Sequence, residues 1–267
     1  MTTTIPPALR RTPSPAQALR NTLAMAHRSL LTIKRTPEQF LDVVAQPILF
    51  TVLFTFLFGG AIAGDTTSYL TFLIPGILVQ SIITASVTTG AGLREDMNSG
   101  VFDRFRTLPI ARIAPLAGAL LIDILRYTIA AITTFLAGFA LGYRPDGGFG
   151  AIVGAALLVI GCAWAMSWAF AYVGVVSRTA EALQGIAIFV LYPLTLLSGA
   201  FVPIATMPGW LQTAAHFNPV TYLVSAAREL LNTGMIGADF TLSIVTAVLI
   251  VIVFAPLAVR AYQRNAR

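Results

Sequence analysis

The chain has 267 residues, of which 57% are hydrophobic and 10% charged; its net charge is +6 and its mean hydropathy +0.81. A soluble domain carries about 25% charged residues, so this composition excludes a soluble enzyme, and the hydrophobicity excludes a disordered chain. An integral membrane protein is the class that remains.

Residues 1–15 contain Pro6, Pro7, Pro13 and Pro15 and read as a disordered start. From 16 to 36 the spacing predicts an amphipathic helix. Leu19, Leu23, Ala26, Leu30 and Ile33 share one stripe, while Arg20, His27 and Lys34, then Asn21, Arg28 and Arg35, fill the other face. An apolar stripe with a basic back suits a helix lying in the membrane interface beside anionic head groups. Packing on a soluble partner is the alternative.

Six apolar runs follow, at 40–63, 70–91, 113–142, 151–176, 182–202 and 240–259. Each approaches or exceeds the roughly 20 residues that cross a bilayer core as helix. The first begins too far from the N-terminus for a signal peptide, so its retention is expected. Of the 17 Lys and Arg residues, 14 flank the side that holds both termini. Arg144 and Arg228 fall on the other side and Arg126 within the third run. This asymmetry predicts a multi-pass cell-membrane protein with both termini cytosolic, and it explains the basic charge without nucleic acid. Residues 37–262 read as one transmembrane domain and 263–267 as a cytosolic tail.

Between the second and third runs, the loop at 92–112 concentrates charge in a chain that has little. It carries Glu95, Asp96, Asp103, Arg104 and Arg106 around Phe102, Phe105 and Leu108, which are three apart and share one face of a short helix. Pro109 ends that element. Apolar side chains between cytosolic charges point to docking of another protein; a plain solvated loop is the alternative.

Between the fifth and sixth runs, the segment 203–234 contains Pro203, Trp210, Asn218, Pro219 and Tyr222. Its apolar stretch from 220 to 231 is too short to span and predicts a re-entrant or interfacial helix. Asn218 is placed to cap it, with Pro219 in its first turn. Trp210 and Tyr222 suit a membrane–water boundary.

Polar residues inside the runs are candidates for function. Gln80, Thr84 and Thr88 form an i, i+4, i+8 row that either lines a translocation path or bonds a neighbouring helix. Asp123 and Arg126 share a face of the third run. Counted back from position 142, they read as an ion pair near the cytosolic boundary after an interfacial turn at Pro115, with substrate passage or gating as the alternative. Asp42 and Gln46 sit at a boundary in the same way. Arg178 and Glu181 read as a local salt bridge, or as a contact for a cytosolic partner. Cys162, alone in an apolar run, reads as packing. There is no GxxxxGK[ST] phosphate loop, no HExxH or other metal-ligand cluster and no GxSxG elbow, so neither catalytic nor metal-binding residues are assigned. His27 and His216, predicted on opposite sides, argue against a membrane enzyme.

The order of these parts resembles the permease subunits of type-2 ABC exporters, in particular the daunorubicin-resistance-like drug exporters. The carriers are Arg94-Glu95-Asp96, Ser99-Gly100, Phe102-Asp103-Arg104 and Arg106 to Arg112, then Leu197 to Pro203, Met207 to Leu211 and Phe217 to Tyr222. The resemblance implies an all-α membrane protein of six transmembrane helices, with an N-terminal interfacial helix, a cytosolic coupling helix and re-entrant helices before the last span. It implies two copies of a separate ATP-binding-cassette ATPase that bind ATP and Mg, and a second permease chain, identical or different. This chain would bind no cofactor and would not be an enzyme. Phe102, Phe105 and Leu108 would dock in the ATPase, Asp103, Arg104 and Arg106 would set orientation, and Glu95, Asp96, Gly100 and Pro109 would complete the coupling loop. The substrate would be a hydrophobic drug-like or lipid-like molecule leaving the cytosol or inner leaflet, with antibiotic resistance as a consequence. Export of a lipid-linked glycan or cell-wall lipid, a membrane assembly factor and an ion-coupled carrier are the alternatives.

Overall fold

A computed structural model describes residues 15–35, 37–100 and 113–265, with the side chains of 15, 16, 18, 31–35, 37–41 and 265 excepted. Of the disordered start expected at 1–15, residues 1–14 lie outside the described residues and Pro15 begins a helix; of the coupling loop expected at 92–112, Val101 to Arg112 lie outside them. Among the described residues the chain is helical and contains no strand.

Helix α1 (Pro15–Arg35) is followed by α2 (Pro37–Phe58), which continues into a π-helical turn at Gly59–Ala63. Gly64, at φ +80°, stops it in the left-handed region that glycine tolerates. Asp65 then caps α3 (Thr66–Ala85), its side chain accepting from the Ser68 N–H at 2.8 Å. Helix α3 is apolar on every side and almost wholly buried, as expected of a helix at the centre of a bundle. Ser86 separates it from α4 (Val87–Asn98). The rest of the chain forms α5 (Ala114–Ala140), α6 (Gly148–Val176), α7 (Ala180–Leu196), a 3-10 turn at Ile204–Thr206, α8 (Gly209–His216), α9 (Pro219–Thr233) and α10 (Ala238–Asn265). The expected tail at 263–267 is helical as far as Asn265.

Around α3 stand α2, α5, α6 and α9; α10 packs along α6, and α1 lies across α5. Lipid tails are as apolar as leucine, so burial between helices adds little in a membrane and close backbone approach matters more. Glycines provide it at three crossings. A Cβ on Gly90 would lie 2.2 Å from the Phe170 carbonyl oxygen, one on Gly76 2.2 Å from that of Ala200, and one on Gly118 3.0 Å from the Ala26 nitrogen of α1. Cys162 is buried and directs its thiol toward the Ser243 carbonyl of α10, in keeping with packing.

Among the described residues, five helical stretches are long and apolar enough to cross a membrane: Asp42–Ala63, Thr66–Asn98, Ala114–Ala140, Gly148–Val176 and Ala238–Arg264. The sequence led us to expect six. The run at 182–202 divides, because α7 has only 17 residues and the chain turns at Ser198 and Gly199, the latter at φ +71°. The third span also differs from expectation. Helix α5 begins at Ala114 with Pro115 in its first turn and runs unbroken, so no interfacial turn separates Pro115 from Asp123. Outer faces are apolar, with Phe56, Leu136, Phe189 and Ile252 more than half exposed. In water such faces would be a liability; in a bilayer they are the surface that meets lipid.

Two ends of the bundle follow from this order. One holds α1, the end of α4 and the end of α10. The other, the cap end, holds the Gly59–Ala63 turn, the α5–α6 connection and everything from Leu197 to Gly237.

Candidate functional site

A cavity of about 600 Å³ lies between α2, the α3–α4 junction and α7. Phe50, Leu191 and their apolar neighbours form most of its wall, and Asp42, Gln46, Thr84, Thr88, Gln184 and Tyr192 supply polar atoms. The polar row expected from sequence is only partly kept. Because α3 ends at Ala85, Thr88 belongs to a second helix, and Gln80 turns into the core at 2% exposure, donating to Thr84 Oγ1 at 3.3 Å. Thr84 and Thr88 line the cavity; Gln80 does not. Asp42 and Gln46, read from sequence as boundary residues, form part of its wall.

Thr88 joins the cavity to a buried polar cluster. Its hydroxyl donates to the Ala85 carbonyl at 2.7 Å and accepts from Arg126 Nη1 at 2.7 Å. The same guanidinium reaches Asp123 Oδ1 at 3.5 Å, while Asp123 Oδ2 accepts from Thr89 Oγ1. Asp123 is buried, with its side chain 1% exposed. One turn further along α5, the Tyr127 hydroxyl meets Ser167 Oγ of α6 at 2.5 Å. The Asp123–Arg126 pair thus joins α4 to α5, and Tyr127 beside it joins α5 to α6. Thr89, Tyr127 and Ser167 were not assigned from sequence. The signal for Tyr127 was its position four residues after Asp123, which puts both on one face.

At the α1 end, Asp96 of the expected coupling segment is paired within the chain. Arg28 of α1 holds it in a bidentate contact, Nη2 to Oδ1 at 3.0 Å and Nη1 to Oδ2 at 3.2 Å. Glu95 is exposed, and Gly100 follows α4 at φ +70°. Phe102, Asp103, Arg104, Phe105, Arg106, Leu108 and Pro109 lie outside the described residues. Arg178 and Glu181 make no ion pair with each other; instead Thr179 caps α7, accepting from the Ala182 N–H at 3.2 Å. Reversing Arg28 to Glu is expected to lower the melting temperature slightly, and the double reversal with Asp96→Arg to restore it. The coupling should be about 0.2–1 kcal/mol, since both partners are about one-third exposed. A double-mutant cycle on the thermal midpoint measures it, and additive single effects would deny the coupling.

At the cap end, Asn218 caps α9 as the sequence predicted. Its Oδ1 accepts from the Val220 N–H at 2.9 Å, and Pro219 occupies the first turn. Its Nδ2 also donates to the Leu194 carbonyl at the end of α7, at 2.5 Å. The Tyr222 hydroxyl donates to the His216 carbonyl at 2.5 Å, and Trp210 is 72% exposed on α8. Pro203 precedes the 3-10 turn.

The apolar helices define a multi-pass membrane protein, with the cavity and its adjoining polar cluster among them. The sequence pattern of the ABC-2 type transporter family matches residues 20–232, and the chain belongs to that family. It is 43% identical, over 95% of its length and 89% of the relative's, to the daunorubicin resistance ABC transporter permease protein DrrB1 of Streptomyces coeruleorubidus. It is 26% identical, over 72% of this chain and 69% of the relative, to the doxorubicin resistance ABC transporter permease protein DrrB of Mycobacterium tuberculosis (strain ATCC 25618 / H37Rv). The inner membrane transport permease YadH of Escherichia coli (strain K12) is 27% identical over 84% of this chain and 87% of its own length.

Proposed function

We propose that the chain is the permease subunit of an ATP-driven exporter that carries a hydrophobic, drug-like amphiphile out of the cytosol or inner leaflet. The carrying observation is the 43% identity, spanning 95% of the chain, to a protein named for daunorubicin resistance. The cavity supports the same reading, since a mostly apolar wall with a few hydroxyls, amides and the Asp42 carboxylate suits an amphiphile.

In this reading both termini are cytosolic, α1 lies in the inner interface with Leu19 and Leu23 toward acyl chains, and α9 is re-entrant. Helix α7 makes the sixth crossing. Its length of roughly 26 Å is completed by Leu197–Val202, an irregular stretch tolerated at membrane depth because neighbouring protein covers it. Thr84 and Thr88 face the substrate, and Asp123 and Arg126 hold α4 and α5 behind them. Two ATPase subunits bind ATP and Mg, and a second permease, identical or different, completes the complex. The loop at 92–112 carries ATPase motion into α4, with Phe102, Phe105 and Leu108 docked, Asp103, Arg104 and Arg106 orienting, and Glu95, Asp96, Gly100 and Pro109 framing the loop. Physically, ATP binding must favour one of two packed arrangements of the helices.

The test is co-purification from native membranes followed by ATP-driven daunorubicin efflux from reconstituted vesicles. A stoichiometric ATPase and ATP-dependent efflux are expected. Phe102→Ala and Arg104→Glu should each weaken ATPase association about tenfold or more while the chain still inserts. Unchanged association and efflux in both variants would remove the docking role.

A further inference from the structure

Arg228 of α9 is tied to two elements that are far from it in sequence. Its Nε and Nη2 donate to the Phe72 carbonyl of α3 at 3.2 and 3.0 Å, and Nη2 also donates to the Gly199 carbonyl at 2.9 Å. The guanidinium carbon lies 3.9 Å from the centroid of the Phe72 ring. One planar cation thus joins α3, α9 and the irregular stretch after α7. One helical turn later, Asn232 Nδ2 reaches the Thr71 carbonyl at 3.4 Å.

Pro75 frees one carbonyl on α3 beside the Arg228 site. A proline inside a helix has no N–H for the carbonyl four residues earlier, and here that carbonyl belongs to Thr71. Asn232 supplies the missing donor, and Arg228 adds a donor at the next carbonyl. The irregular stretch is held from the other side as well. The Tyr69 hydroxyl donates to the Phe201 carbonyl at 2.8 Å, and the absence of a side chain at Gly76 lets the Ala200 backbone lie directly on α3. Ser198, Ala200 and Phe201 are buried as a result.

These contacts differ in kind. The Gly76 approach and the Tyr69 bond link two elements each, whereas Arg228 links three through hydrogen bonds to backbone carbonyls. Carbonyl acceptors are uncharged, so the bonds can be exchanged for water without stranding an opposite charge.

We propose that Arg228 is the latch of the cap-end seal: it holds residues 197–202 closed on α3, and its release from the Gly199 carbonyl opens the substrate's exit. Arg228 is a positioning residue that need not touch substrate. The latch's place in a transport cycle rests on the exporter reading above; the closed seal itself does not.

The experiment uses the chain assembled with its ATPase in lipid nanodiscs and compares wild type, Arg228→Lys and Arg228→Gln. Hydrogen exchange at 197–205 is read with and without a trapped ATP-bound state, and ATP-driven daunorubicin transport is measured in parallel vesicles. In wild type, exchange at 197–205 should rise about tenfold or more when ATP is trapped. In Arg228→Gln it should already be raised by that factor without nucleotide, with exchange in α5 and α6 unchanged, ATP hydrolysis retained and transport lost. Arg228→Lys should fall between, because an ammonium can reach one carbonyl but cannot bridge both over the ring. Wild-type exchange levels in Arg228→Gln, or wild-type protection that persists in the trapped state, would overturn the latch. If Arg228→Gln does not fold, Arg228→Lys decides alone: a rise at 197–205 without nucleotide supports the latch, and wild-type exchange there would overturn it. A wild-type complex that exports no daunorubicin overturns the exporter reading and the latch's role in it. Export with a seal that never opens overturns the latch alone.

Discussion

Gly90→Leu is expected to yield almost no folded chain. Gly90 sits where α4 crosses α6, and a Cβ there would lie 2.2 Å from the Phe170 carbonyl oxygen and 2.8 Å from its carbon. The crossing is reciprocal, since a Cβ on Gly174 would lie 2.3 Å from the Gly90 carbonyl oxygen. Both obstacles are backbone, so no rotamer change relieves them. Overpacking a core costs about 1–3 kcal/mol, occasionally more, and a backbone clash belongs at the upper end. Fluorescence-detected size exclusion of a tagged chain should show the monodisperse peak lost for Gly90→Leu and lowered in thermal midpoint for Gly90→Ala. Gly92→Ala, on the same helix but with open space around it, should behave as wild type. A normal peak for Gly90→Leu would mean that α4 and α6 do not cross as described.

Arg126→Ala should be the next most damaging single change, through a charge rather than a clash. It removes the cation beside the buried Asp123 carboxylate, whose remaining partner is the Thr89 hydroxyl. Removing one member of a buried pair typically costs about 3–5 kcal/mol, because the other charge stays behind uncompensated. The thermal midpoint should fall markedly. Adding Asp123→Asn in the same chain should recover most of the loss, since an amide can still accept from Thr89 and needs no counter-charge. Asp123→Asn alone should cost less, because Arg126 keeps its 2.7 Å bond to Thr88. Equal stability of Arg126→Ala and wild type would show that the 3.5 Å pairing carries no weight.

Some parts of this molecule could be read from the sequence because their cause is local. The cap at Asn218 with Pro219 behind it depends on residues adjacent in sequence, and the structure has that cap. The basic-backed stripe expected at 16–36 is a helix over Pro15–Arg35 for a similarly local reason. What could not be read depends on partners far away in sequence. Thr89 reaches Asp123 across 34 positions, and Arg228 reaches Phe72 across 156. Nothing in the neighbourhood of either residue announces its acceptor. The break at Ser86 was missed for a different reason: the apolar run from 70 to 91 is continuous, and hydropathy does not register a turn that the Ser86 hydroxyl makes by donating to the Ile83 carbonyl at 2.6 Å. That break moves Thr88 onto another helix. The fifth run likewise reads as one continuous helix because hydropathy counts Leu197–Val202 as apolar, although the helix ends at Leu196, before the turn at Gly199.

The docking of α1 also sets an order on how the protein is made. Its packing partner on α5 is Gly118, and the ion-pair partner of Arg28 is Asp96. Both are synthesised long after α1 has left the ribosome. At about 5–20 residues per second, the helix waits on the order of ten seconds before its seat exists. During that interval neither contact can form, and two of its leucines stay exposed even in the finished chain, Leu19 at 61% and Leu23 at 50%. Helix α1 is therefore seated late, and truncated chains ending before position 96 should carry it with neither of these contacts to hold it.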